Sequence, residues 1–351
     1  MWFKNLRIYR FTQALTLNGE VLNGTSSAAG ALSDALEEGA FVACNSQDES
    51  RCGWVSPLTG EADVSLVHAC QGFLMLCAKK QEKVLPAAVI NEALDEKVAV
   101  ITEAEGRPVG RTERQSLRDD VMMDLLPKAF TRSSLQYAYI APPRSNAEGV
   151  SHKDDHGYIV VNAASAAKAE ALLSVLRDVL GSLPVIPLVS KQLPHQMMTQ
   201  WLTEAEAPAK FLLGDECELA DPKEAGSVIR CKHQDLAAEE INNLLQSGMI
   251  VTKLNLNWAQ GVDFILDDQL AIKRLRFADD IQGKADEHEA QNAIEKFDSE
   301  FSVMTLELSA FIHDLVSALG GVDASTRSVE EMVIQATKNE SEHTGVDEVV
   351  F

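Results

Sequence analysis

The chain has 351 residues, enough to bury a substantial core spread over roughly two or three subdomains. Hydrophobic residues make up 46% and charged residues 24%, ordinary globular proportions that exclude a low-complexity or collagen-like chain. The formal net charge of −22 excludes a uniformly basic surface. From residue 277 onward 17 acidic residues stand against 4 basic ones, so much of the acidity sits in the last fifth, and a local basic surface elsewhere can still bind phosphate.

In chain order, Trp2 to Phe11 reads as an opening strand bearing Lys4, Arg7 and Arg10. Ser26 to Glu38 reads as a short helix. Val64–His68 and Phe73–Lys79 are β-like runs around Gln71-Gly72, the pattern of a hairpin. Pro86 opens a helix with Ile90, Leu94, Val98 and Ile101 at helical spacing. Thr112 and Gln115 form a capping-box pattern for the next helix, whose stripe is Leu117, Val121 and Leu125 and whose end is Pro127. Arg114 and Arg118 fall on that stripe. No element is assigned between Pro127 and Ala141.

Residues 141–157 form a polar loop rich in turn residues. Tyr158–Val161 resumes a strand, and Ser165 caps a helix carrying Leu172, Leu173, Leu176, Val179 and Leu180 before Gly181. A strand from Val185 to Val189 and a short helix around Gln196–Leu202 follow. The stretch from Phe211 to Phe277 is mostly strand-like, interrupted by a helix at Ala237–Gln246. A long helix then carries Phe301, Met304, Leu308, Phe311, Leu315 and Leu319, and Gly320-Gly321 ends it.

The sum is an α+β protein with mixed or antiparallel sheets and flanking helices. Its expected divisions are an N-terminal α+β region (1–140), an inserted polar loop (141–157), a C-terminal α+β region (158–321) and an acidic tail (322–351). No run reaches the roughly 18–20 apolar residues that span a bilayer, and the opening residues lack the apolar core of a secretory leader, so the expected compartment is the cytoplasm. The six cysteines contain no Cys-x-x-Cys pair, so reduced thiols are expected, with Cys70 and Cys77 in the core.

Two constellations invite a catalytic reading. His152-Lys153-Asp154-Asp155-His156 carries metal-capable side chains but lies in the polar loop, where a solvated insertion is the simpler reading. Asp267-Asp268 with Lys273 resembles the carboxylate-plus-lysine arrangement of metal-dependent nucleases, although the acids fit a hairpin turn better. There is no Gly-rich phosphate loop, nucleophile elbow or His-Glu-x-x-His motif, so no enzyme activity, cofactor or metal is expected. Phosphate-binding candidates are Lys79, Lys80, Lys83, Arg107, Arg111, Arg114, Arg118, Lys128, Arg132, Lys232, Lys253, Lys273, Arg274 and Arg276. Converging on one concavity, such clusters would bind duplex strongly without reading bases.

Eight runs in one order resemble the RdgC family of bacterial recombination-associated DNA-binding proteins. They begin with Trp2-Phe3-Lys4-Asn5-Leu6 before Tyr9-Arg10, Ser46-Gln47-Asp48 with Gly53-Trp54-Val55-x-Pro57, and Lys80-x-Glu82-Lys83-Val84-Leu85-Pro86. Leu125-Leu126-Pro127-Lys128-Ala129-Phe130, Leu180-Gly181-Ser182-Leu183-Pro184-Val185 and Lys232-His233-Gln234-Asp235-Leu236 follow. Val251-Thr252-Lys253-Leu254 and Lys273-Arg274-Leu275-Arg276-Phe277 complete the set. The likeness spans residues 2 to about 321 and thins across 141–157 and 322–351.

The resemblance implies a nucleoid-associated homodimer closed into a ring around double-stranded DNA. It implies binding independent of sequence and antagonism of RecA-dependent recombination. Phe130 matches a residue that helps close the ring at an interface. Lys232 and Gln234 match a segment associated with DNA contact, and His233 stands where a second lysine often occurs, removing a full charge at neutral pH. The alternatives are a metal-dependent nuclease built on Asp267, Asp268 and Lys273, and an acidic protein-interaction adaptor.

Overall fold

In a computed structural model of the chain, the residues described are all except 18, 19, 23, 63, 144–155, 225, 287–291 and 324–351. The elements are, in order, β1 (Arg7–Phe11), β2 (Thr16–Leu17), β3 (Glu20–Val21), α1 (Ser26–Leu36), β4 (Ser50–Val55), β5 (Val67–Cys70) and β6 (Phe73–Val84). Next come α2 (Ala87–Glu105), α3 (Arg111–Leu125), β7 (Phe130–Ala141), β8 (Tyr158–Val161), α4 (Ala166–Leu180), β9 (Val185–Pro187) and α5 (Pro194–Glu204). The rest are β10 (Phe211–Ala220), β11 (Val228–Lys232), α6 (Glu239–Gln246), β12 (Ile250–Trp258), β13 (Val262–Asp267), β14 (Ile272–Phe277), α7 (Asp279–Asp286) and α8 (Ala293–Ala318).

The fold is α+β with antiparallel sheets. A seven-stranded sheet runs β4-β6-β7-β8-β1-β9, with β5 also on β6, and a five-stranded sheet runs β11-β10-β12-β13-β14. Strands from both sides of the 141–157 loop share the larger sheet, since β8 joins β7 to β1. Alternation sorts that sheet's side chains onto two faces. Leu74, Leu76, Ala138, Ile159 and Val161 pack with Leu32 of α1 and Leu172 and Leu176 of α4. Met75, Tyr139 and Val160 face the other way, into a core shared with α8 and the five-stranded sheet.

The opening residues tie the two sheets together. The Leu6 amide donates to Ile272 O at 2.8 Å, the Ile272 amide returns a bond at 3.1 Å, and the Leu275 amide donates to Lys4 O at 2.8 Å. Trp2 stacks obliquely on Phe277 with centroids 4.7 Å apart. Gly53 in the Gly-Trp run has a steric reason: a Cβ there would meet the Phe41 Cα at 2.5 Å.

Several expectations need correction. The Thr112–Gln115 capping box does not form, because α3 begins at Arg111 with Gly110 as its cap, two residues before Thr112, and no side chain caps it. The unassigned stretch after Pro127 is a 12-residue strand, β7, whose first half is too exposed to show an apolar alternation. Helix α8 is, by length and composition, apolar enough to cross a membrane, contrary to the reading that no such run exists. Its Phe301, Met304, Leu308, Phe311 and Leu315 are buried in the shared core, which accounts for that apolarity. The His152–His156 constellation, apart from His156 itself, and the tail beyond Asp323 lie outside the described residues.

Candidate nucleic-acid interface

The candidate cations fall into three places. The first is the exposed half of the β6–β7 ladder, where Glu82 sits opposite Arg132 and Lys83 opposite Thr131. Glu82 accepts from Arg132 and pairs with Lys80 at 3.3 Å, and those two cations hold its carboxyl below the ordinary range. Two cations sharing one carboxylate leave a local positive excess. Lys80 and Lys83 also border a hollow of about 290 Å³ with Glu49, Ile90 and Met122. Lys79 is tied down separately, donating to Gly60 O and Glu61 at 3.2 Å each over the Phe41 ring.

The second is the α2–α3 hairpin beyond that ladder. The stripe arginines of α3 reach across to α2: Arg114 meets Asp95 at 2.5 Å and Arg118 donates to Asn91 at 2.8 Å. Arg107 is clamped by Glu113 at 2.8 and 2.9 Å. These guanidiniums therefore stitch the hairpin as well as charging it. Lys128 is exposed on the turn after α3. Phe130, the first residue of β7, is 86% exposed opposite Val84, itself exposed. A core role for Phe130 within the protomer is thereby removed.

The third is the outer face of the five-stranded sheet, and here the candidates converge. Register places Glu218 between Arg230 on one side and Lys253 on the other, and places Lys253 opposite Asp267. The ion pairs follow that row: Arg230–Glu218 at 2.7 Å, Lys253–Glu218 at 2.6 Å and Lys273–Asp267 at 2.7 Å. Burial pushes the Glu218 carboxyl up, but its two cations outweigh that and hold it low. A second row pairs Lys232 with Glu216, which also accepts from Arg274. Arg274 and then Lys232 keep the Glu216 carboxyl low, against burial and Asp215.

β14 gains its three cations on this face from a bulge. Ile265 pairs with Lys273 and Asp263 with Arg276, so β14 spends one residue more than β13, with Arg274 at φ +51°. Lys273, Arg274 and Arg276 can then all address the outer face while Leu275 and Phe277 stay buried. Arg230, Lys232, Lys253, Lys273, Arg274 and Arg276 thus stand against Glu216, Glu218, Asp263 and Asp267. Part of this face is a groove of about 190 Å³ bordered by Arg230, Lys232, Lys253 and Arg274. In a chain of net charge −22 this is a local reversal of sign.

His233 and Gln234 continue from β11 around Asp215, with His233 Nδ1 2.8 Å from its carboxylate and the Gln234 amide on its carbonyl at 3.2 Å. Arg230 is the residue that sequence reasoning missed. Its signal was present in Val228-Ile229-Arg230-Cys231-Lys232, where two cations two apart must share a strand face.

The nuclease constellation has a structural account. Asp267 is 4% exposed, and its Oδ1 accepts from the Gln269 and Ala271 amides at 3.0 and 2.7 Å, building the β13–β14 turn. Its Oδ2 faces Lys273 at 2.7 Å and Arg7 at 4.0 Å. Burial and then Asp267 push the neighbouring Asp268 carboxyl up. Among the described residues no three metal-capable side chains group together.

Comparison with known proteins matches residues 1–322 to a family described as "Putative exonuclease, RdgC". The Recombination-associated protein RdgC of Tolumonas auensis is 43% identical over 324 residues, 92% of this chain and 100% of its own length. That of Aeromonas hydrophila is 42% identical over 325 residues, 93% and 100%, and that of Pseudomonas syringae pv. tomato 41% over 321 residues, 92% and 98%. The chain belongs to the RdgC family of recombination-associated proteins.

Proposed function

We propose that this recombination-associated protein binds double-stranded DNA without reading its sequence, encircles it as a homodimer, and thereby limits access by RecA. The observation that carries the reading is the cation-rich outer face of the five-stranded sheet in a chain otherwise strongly acidic. Its groups suit phosphate rather than bases: guanidinium and ammonium donors spread over a sheet surface present no helix or ribbon to enter a groove. Acidic surfaces elsewhere repel the duplex, so binding concentrates where the sign reverses.

The dimer reading rests on Phe130. An 86% exposed phenylalanine beside exposed Val84, at the exposed end of the β6–β7 ladder, is an apolar contact awaiting a partner surface. A second copy of the chain is the partner in this reading, and the basic face would line the enclosed space. The expected setting is the nucleoid of the cytoplasm.

Retention on closed circular duplex tests encirclement. Protein loaded on a circular plasmid and challenged with excess competitor should stay bound, and linearising the plasmid should release it. Equal release from circular and linear DNA would contradict encirclement, and no retention at any salt would favour a protein-interaction adaptor instead.

A further inference from the structure

β10 and β11 pair in an unbroken register from Glu216↔Lys232 to Ala220↔Val228, which sets Cys217 directly opposite Cys231. Opposed residues on neighbouring strands share a face. Both thiols therefore lie on the core side, between the outward pairs Glu216/Lys232 and Glu218/Arg230. The Asp221 amide donates to Ser227 O at 3.1 Å. Hydrogen-bonded pairs alternate along an antiparallel ladder, so Cys217 and Cys231 form such a pair, with Cα atoms about 5.5 Å apart. That separation lies within the roughly 4.4–6.8 Å that a disulfide bridges.

The other cysteines are placed differently. The Cys44 thiol donates to Gln81 O at 3.4 Å, Cys52 faces Lys80, Cys70 faces Phe73, and Cys77 lies between Val55 and Tyr137. Among the described residues, Cys217 and Cys231 are the cysteines that strand pairing sets side by side.

We propose that Cys217 and Cys231 are a dithiol modification site, closed to a cross-strand disulfide by a two-electron oxidant of the hydroperoxide class. Cys231, the more exposed, is the entry point. Its thiolate sulfur attacks a peroxide oxygen, the O–O bond breaks, and the sulfur becomes a sulfenic acid. The Cys217 sulfur then attacks that sulfur; the S–S bond forms, the S–O bond breaks, and the Cys217 proton leaves with the oxygen as water. Two thiols and one hydrogen peroxide give one disulfide and two waters. Burial and then the Cys231 thiol push the Cys217 thiol up, which makes it the poorer nucleophile toward peroxide and leaves Cys231 to react first.

Closure has a mechanical consequence. A hydrogen-bonded pair keeps its Cβ atoms farther apart than the roughly 3.8 Å of a relaxed disulfide, so the bridge is strained and readily reduced. β11 is an edge strand paired to β10 alone, and it is the element that shifts. It carries Arg230 and Lys232, so oxidation moves two cations of the basic face. The effect on duplex rests on the function proposed above; the disulfide itself does not.

The test treats the full chain with hydrogen peroxide, alkylates remaining thiols, and maps unreduced peptides by mass spectrometry. The expected result is a linked pair containing Cys217 and Cys231, lighter by two hydrogen atoms, released by dithiothreitol and lost in Cys231→Ser, where Cys217 stays alkylatable. Recovery of both cysteines alkylated, or of Cys231 as sulfinic acid beside alkylated Cys217, overturns the proposal. Native melting of Cys231→Ser verifies that its fold is kept. Duplex binding is measured on the same samples. A linked pair together with no binding in either redox state supports the dithiol site and overturns the DNA reading alone.

Discussion

Replacing Asp267 separates a structural carboxylate from a catalytic one. In Asp267→Ala the buried Ala271 amide loses its acceptor at 2.7 Å, the Gln269 amide loses one at 3.0 Å, and Lys273 and Arg7 lose their shared anion. Hydrogen bonds to a charged group are worth about 1.5–3 kcal/mol each, and breaking a buried ion pair costs about 3–5 kcal/mol. Lys273 is 28% exposed and can rehydrate, so the ion pair is discounted and the two hydrogen bonds at their lower end set the cost, about 3 kcal/mol. For a chain of this size that corresponds to a fall of roughly 4 °C in Tm. Asp267→Asn keeps the Oδ1 acceptor and loses only the charge, so its cost is smaller, about 1 kcal/mol. Thermal melting of the two variants beside the parent, with magnesium-dependent release of nucleotides from linear duplex measured in parallel, checks the ordering. An unchanged Tm for Asp267→Ala together with loss of a magnesium-dependent cleavage present in the parent would refute the structural role and restore the nuclease.

Further outcomes follow from the same geometry. Glu218→Gln removes the anion shared by Arg230 and Lys253, so affinity for random duplex, read by fluorescence anisotropy, should rise several-fold; a fall would mean that the ion pairs position the cations. Phe130→Ala should leave the protomer's Tm within about 1 °C, as expected for a truncated exposed residue, while sedimentation shows weaker self-association. A large Tm loss without a change in association would place Phe130 in a core. Glu216 and Glu218 have depressed carboxyls in the fold, so their stabilisation is present above the unfolded value of about 4.3 and is lost as pH falls through their lower folded values. Asp268, raised by burial and Asp267, acts in the opposite sense and regains stability on acidification. Urea midpoints should therefore hold from neutral pH to about 5 and drop below about 4.3, less steeply in a Glu216→Gln, Glu218→Gln double variant.

The sequence was most readable where one signal served one element. The Ser165 cap, which accepts from the Lys168 amide, the leucine stripe and Gly181 fix α4 without help from the rest of the chain. The β10–β14 alternation likewise shows in the strand runs after Phe211. Strand β7 was invisible because it is half exposed and held by pairing with β6 along its whole length, a pairing made some fifty residues away in sequence. The same limit governs the site. Lys232, Lys253 and Arg274 could be named as cations, but the row Arg230–Glu218–Lys253–Asp267 exists only through register across four strands, and Lys273 joins it by its ion pair to Asp267. Arg114 and Arg118 could be placed on the α3 stripe, but not paired, because their partners, Asp95 and Asn91, belong to the preceding helix.

A positive sheet face that binds the phosphate backbone makes affinity depend on salt. The decisive measurement is anisotropy of a random-sequence duplex across a salt series, for the parent and for a variant with Arg230, Lys232, Lys253 and Arg274 changed to Gln. Counterion release predicts a steep log–log fall for the parent, alike for unrelated sequences. The variant's slope should be shallower by about 0.9 for each phosphate it no longer neutralises, roughly 3–4 in all. No binding by the parent at low salt, or an identical slope in the variant, would show that this face does not hold the phosphate backbone.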